Sequence, residues 1–193
     1  MRTAADIAFW LALFLWFSLA LVGGMSAMAI FPAARELPLS MEGYEAFIAR
    51  EPVLGRQLVA GYLVERVFEF AQAPRAIFAA VATAALALGI VLASRDSAPE
   101  PLRRLRITAL VCAIAALGVS FVAIVGFRVA DRKYRVMAYE VTRDGKWLAE
   151  ALFMKAEVDR AHAFASRVMT AEVVSILALA GLSAAAAGVR RRA

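Results

Sequence analysis

Ile7 to Phe31 is an apolar run without a single charged residue, longer than the twenty or so helical residues needed to cross about 30 Å of hydrocarbon. A chain with such a segment must hide it in a large core or place it in lipid. Three more apolar runs follow at 75–94, 106–127 and 167–188, the last interrupted only by Glu172. A chain of 193 residues has no soluble core able to bury four runs of this length. The composition agrees: 63% of residues are hydrophobic, and the mean hydropathy is +0.71. The expected fold is all-α, an integral membrane four-helix bundle with amphipathic helical extensions on the non-cytoplasmic side, and 1–193 is expected to be one domain.

A secretory signal peptide is the competing reading of the first run, since Ala27-Met28-Ala29 resembles a cleavage site. Its apolar part is far too long for that, and only Arg2 precedes it.

The net charge of +6 brings nucleic acid to mind, but the basic residues flank the apolar runs and form no patch with interleaved aromatics. Their placement speaks to orientation. Arg2, Arg95, Arg103, Arg104, Arg106 and Arg190 to Arg192 crowd the short segments, whereas in the two long connections the basic residues are diluted and offset by acids. Positive charge marks the cytoplasmic side, so both termini are expected there and the long connections opposite, although Arg128, Arg132, Lys133 and Arg135 pull the other way. Arginine in place of lysine and abundant alanine suit a GC-rich coding sequence, which points to a bacterial inner membrane.

The long connections read as helical. Leu58, Val59, Tyr62, Leu63, Val67 and Phe70 share a face that needs an apolar partner, and Pro74 should kink or interrupt the passage into the second span. Asp144-Gly145 marks a turn, after which no proline interrupts the chain to Gly188, so the fourth span is expected to begin as a long helix standing out of the membrane. These amphipathic stretches either cover one another or offer a surface to lipid or to a protein partner.

Glu172 is the sharpest chemical feature, because a carboxylate inside a span must face protein or water. A structural ion pair, with Arg128 as a basic partner, is weighed against an ion or proton site comprising Glu172, His162 and Arg128. His162 is the sole histidine and lies near Asp159 and Ser166 on a helix, but Glu172 is turned about 80° away from it, so a continuous proton relay is not expected. Met25, Met28, Cys112 and His162 are the soft-metal ligand types, at spacings that do not suit a copper site, and no cofactor is expected. A lone cysteine excludes an internal disulfide. Gly23, Gly24 and Ala27 in the first span, and Ala116 and Ser120 in the third, have the small-residue spacing that lets backbones approach. No HExxH, GxSxG, P-loop or dinucleotide motif occurs, so a non-enzymatic protein binding a partner, a second copy of itself or lipid is the leading expectation. A small proton- or cation-dependent transporter or channel using Glu172 is the alternative.

Ala27 to Phe31 followed by Leu37-Pro38, the Gly55-Arg56-Gln57-Leu58-Val59-Ala60-Gly61 stretch, and His162 with Ser166 at the opening of the fourth span together resemble an uncharacterised bacterial membrane family, domain of unknown function 4149, related to the eukaryotic transmembrane protein 205. The chain departs from that pattern at Ala161, at the spacing of Ser166 and at Glu172. The resemblance implies a four-helix membrane fold and no established reaction.

Overall fold

The computed structural model describes residues 2–37, 39–92 and 100–192, with side chains omitted at 2, 3, 90–92 and 189–192. Pro38, Ser94 and Arg95 therefore lie outside the described residues, as do the side chains of Arg2 and Arg190 to Arg192, four of the basic groups expected on the cytoplasmic side. The fold is an all-α four-helix bundle, built from α1 (Arg2–Glu36), α2 (Glu45–Arg50), α3 (Pro52–Leu92), α4 (Glu100–Arg143) and α5 (Leu148–Arg192). Stretches of α1, α3 and α4, and one that runs from the turn before α5 into α5, are long and apolar enough to cross a membrane. With 41, 44 and 45 residues, α3, α4 and α5 are about 60 to 68 Å long, twice what the hydrocarbon layer requires.

Local chemistry explains the boundaries. Asp144 accepts a hydrogen bond from the Lys146 amide at 3.1 Å and caps the 3₁₀ turn Gly145–Trp147 that reverses the chain into α5. The turn expected at Asp144-Gly145 is present, and α5 continues unbroken beyond it. Pro74, expected to kink or interrupt, lies inside a continuous α3. Proline is tolerated in apolar bundles where neighbouring helices and local adjustment satisfy the freed carbonyl.

The chain forms two compact units. The first comprises 1–21, 71–120 and 168–193. Its buried positions recur at spacings of three and four: Ala5, Phe9, Ala12, Trp16 and Ala20 on α1, Ala71, Arg75, Ala79, Ala82 and Leu86 on α3, Ala109, Ala113, Leu117 and Ser120 on α4, and Glu172, Ile176, Leu179, Ser183 and Ala186 on α5. Alanine dominates these seams, which lets the helices approach closely where lipid supplies no hydrophobic drive between them. The opposite faces are apolar too, with Ile7, Leu11, Phe14, Ile77, Val111, Val174 and Leu177 all exposed. Helices that are hydrophobic all round need an apolar solvent.

The second unit comprises 22–70 and 121–167. Its core gathers Phe47 of α2, Leu58 of α3, Tyr134, Ala138 and Val141 of α4, and Ala151 and Val158 of α5. On this part of α3, Gly55, Leu58, Ala60 and Val64 are buried, while Leu63 and Phe70 are 52% and 77% exposed. The apolar face expected from periodicity is thus only partly covered. Leu58 of that face packs inward together with the smaller Ala60 and Val64 beside it.

The small-residue patch divides in the same way. A Cβ on Gly23 would strike the Phe68 ring, whereas one on Gly24 would meet no atom within 4 Å. Gly23→Ala is therefore expected to destabilise the protein by about 1–3 kcal/mol through overpacking. Gly24→Ala gains helix propensity and should be neutral or stabilising by about 0.5–1 kcal/mol. Thermal unfolding of both variants in one detergent checks this, and equal shifts of one sign would contradict it. Of the other small residues, Ala27 and Ala116 are half-buried and Ser120 is fully buried.

Candidate functional site

The first unit contains a polar cluster to which all four long helices contribute. Glu172 of α5 has no solvent exposure. Trp16 of α1 donates its indole N–H to Glu172 Oε1 at 2.8 Å. Arg75 of α3 places Nε 3.7 Å from that same oxygen, and its Nη2 donates to Ser120 Oγ of α4 at 2.9 Å and to Gln72 Oε1 at 3.0 Å. The Ser120 hydroxyl has one proton and two acceptors in reach, Glu172 Oε2 at 3.1 Å and its own helix's Leu117 carbonyl at 2.8 Å. Glu172 is tolerated inside an apolar bundle because a cation and two neutral groups replace its hydration.

The cation facing Glu172 is thus Arg75. Arg128 lies in the second unit, where its guanidinium stands 3.9 Å from Glu69 in a loose, half-exposed ion pair. His162 is also in the second unit, exposed, with its ring 5.8 Å from that of Phe127. Asp159, its supposed relay neighbour, pairs with Lys155. Glu172 therefore belongs to one constellation, and Arg128 and His162 to others. Met25 and Met28 are exposed, as is Cys112, and among the described residues no three His, Cys, Asp or Glu side chains gather as a metal site would require.

Sequence reasoning missed Arg75 and Trp16. Arg75 has a detectable signal: an arginine at the mouth of an apolar run, with a carboxylate inside another run. Trp16 has none, since a tryptophan in an uncharged span reads equally well as a lipid-facing residue.

The second unit holds an open cleft of about 710 Å³. Among its lining residues, Arg135 of α4 pairs with Asp131 of its own helix and with Glu65 of α3 at 2.9 Å, and its guanidinium stacks 3.6 Å from the centre of the Tyr62 ring. Tyr44 and Tyr139, which also line it, lie edge to face. Burial, and then the neighbouring Tyr62, push the Tyr44 phenol up to about 12, so it remains a neutral hydroxyl at any physiological pH. Arg132 lines the same cleft, is exposed, and forms no ion pair among the described residues. The cleft is of ligand size and carries both signs of charge.

The two sites differ in accessibility. Glu172 is sealed among its partners, which suits a group that holds helices together, whereas the cleft of the second unit is open and offers guanidinium, carboxylate and phenol groups to whatever enters. No family model, no curated protein and no solved structure matches the chain.

Proposed function

We propose that the protein is a non-enzymatic, multi-pass protein of a bacterial inner membrane, with both termini cytoplasmic, which binds a protein partner, a second copy of itself or lipid through its helical segments beyond the four apolar runs. The observation that carries this reading is the exposed apolar surface of those segments. Phe70, Leu63, Phe153 and Phe164 all lie outside the runs at 7–31, 75–94, 106–127 and 167–188, yet each is more than half exposed. Large apolar side chains left uncovered outside the apolar runs support an interaction surface there. The closed environment of Glu172 supports the same choice, because a site for a moving ion needs a route to it.

The test is native mass spectrometry of the protein extracted in mild detergent from its own membrane. The expected result is a stoichiometric companion, whether protein, second copy or lipid, that is lost from a Phe70→Ser, Phe153→Ser variant with unchanged thermal stability. A bare monomer from the native membrane would overturn the reading. Transport at Glu172 is the rival, favoured by the burial of a carboxylate and a guanidinium together inside an apolar bundle.

A further inference from the structure

In the second unit, a separate cavity of about 300 Å³ lies where the end of α1 meets the start of α3. Two triplets line it, Phe31, Ala34 and Arg35 from α1 and Val53, Arg56 and Gln57 from α3. Each triplet has the i, i+3, i+4 spacing that turns three side chains to one face. Two guanidiniums therefore share one small cavity. Among the described residues neither forms an ion pair, although Glu36 and Glu51 are close in sequence. Arg56 Nε is buried without a hydrogen-bond partner. Like charges held together repel, and a buried N–H without an acceptor costs free energy, so the cavity as built lacks a counter-charge rich in acceptor oxygens. The opening turn of α3 adds to the demand, because the N-terminal end of a helix dipole favours an anion.

The surroundings indicate where the anion comes from. Phe31 is the last residue of the uncharged run that begins at Ile7, and Arg35 follows one turn later. Met28, one turn before Phe31 on α1, is 79% exposed, and Val53 on α3 is 60% exposed. An apolar wall thus leads to a pair of arginines at the level where a span ends, which is the arrangement of acyl chain and headgroup in a phospholipid. No carboxylate lines the cavity to receive an ammonium group, which disfavours zwitterionic headgroups.

We propose that Arg35, Arg56 and Gln57 form a binding site for the phosphodiester of an anionic phospholipid of the phosphatidylglycerol class, with its acyl chain along Phe31, Met28 and Val53. The site rests on the membrane-spanning, lipid- or partner-binding reading above and names one ligand for it.

The test is a native mass spectrometry titration of the full-length protein in detergent with phosphatidylglycerol, with phosphatidylcholine, and with soluble glycerol phosphate as competitor. Phosphatidylglycerol is expected to bind in preference to phosphatidylcholine, and glycerol phosphate not to displace it. Arg35→Gln and Arg56→Gln should each weaken it roughly fivefold, and the two together about thirtyfold, as expected for ~1 kcal/mol per arginine near a membrane surface. Arg132→Gln, in the larger cleft, should change nothing. Both substituted residues have contact with solvent, so the fold should survive; if the double variant does not fold, the exposed Arg35→Gln alone decides. Equal binding of the two lipids, unchanged affinity in the variants, or displacement by glycerol phosphate would each overturn the proposal. Any of these with a companion still bound to the protein from its own membrane leaves the broader reading standing, whereas a bare wild-type monomer removes that as well.

Discussion

Glu172→Ala should destabilise the protein by about 3–5 kcal/mol, the largest effect expected of any single substitution in the first unit. The cost has two parts. The Trp16 indole and the Ser120 hydroxyl lose their carboxylate acceptor, and the fully buried Arg75 guanidinium loses the anion it faces. The second part dominates, since an uncompensated charge in an apolar interior is far more expensive than a lost neutral hydrogen bond. Glu172→Gln keeps an acceptor for Trp16 and should cost less than Glu172→Ala, though it removes the carboxylate charge that faces Arg75. Arg75→Met combined with Glu172→Leu removes both charges and should recover most of the loss, because a well-packed apolar pair can equal or exceed a buried ion pair. Chemical unfolding in detergent across this series, read as a double-mutant cycle, checks the expectation. A cost below about 1 kcal/mol for Glu172→Ala would show that the cluster does not hold the helices together. The series also separates the two functional readings. A Glu172→Gln protein that inserts, keeps near-normal stability and abolishes an ion-dependent flux would favour transport, while loss of stability with no such phenotype assigns Glu172 to structure.

Phe47→Ala is the second large effect, expected at about 3–5 kcal/mol and located in the second unit. Six residues are too few to sustain an isolated helix, so α2 depends on docking. Phe47 is its one buried side chain, fully enclosed, with its ring edge to face with Tyr134 at 6.1 Å. Truncation removes the docking group and leaves a cavity beside Leu58, Val141 and Val158. Hydrogen exchange should therefore show amides 45–50 losing protection before the rest of the unit, together with a lower global stability. The close fit around Gly55 makes the local loss sharper. A Cβ there would lie 2.8 Å from the Ile48 backbone, so α2 sits against α3 with no spare room and cannot slide to fill the hole. Uniform protection across 45–50 with a change under about 1 kcal/mol would contradict this account.

Much of this protein is legible in one dimension. Four apolar runs specify four long helices, because a backbone in lipid can satisfy its own hydrogen bonds only by coiling on itself, whatever its neighbours do. The reversal at Asp144-Gly145 is equally local, since a short carboxylate can cap its own next turn. Glu172 stands out as soon as the cost of a charge in a span is considered. Its partners do not, because their identity depends on how each helix is rotated about its axis, and every helix of the first unit is apolar on all sides. Arg75 and Glu172 are far apart in the chain and on different helices, and no period within either predicts that they meet. The adjacent glycines make the same point: Gly23 and Gly24 are alike as letters, and a rotation of about 100° places one against Phe68 and leaves the other open. On α3, hydrophobic periodicity groups Leu58, Leu63 and Phe70 on one face, yet Leu58, Ala60 and Val64 are buried while Leu63 and Phe70 are exposed, because which part of the face is covered depends on the neighbouring helices and not on the period. Helix number, type and turns thus follow from chain-local hydropathy and hydrogen bonding. Helix rotation, the partnership of Glu172 with Trp16, Arg75 and Ser120, and the convergence of Arg35 and Arg56 on one cavity were decided by packing, which selects one rotation among several that the sequence of a single helix leaves equivalent.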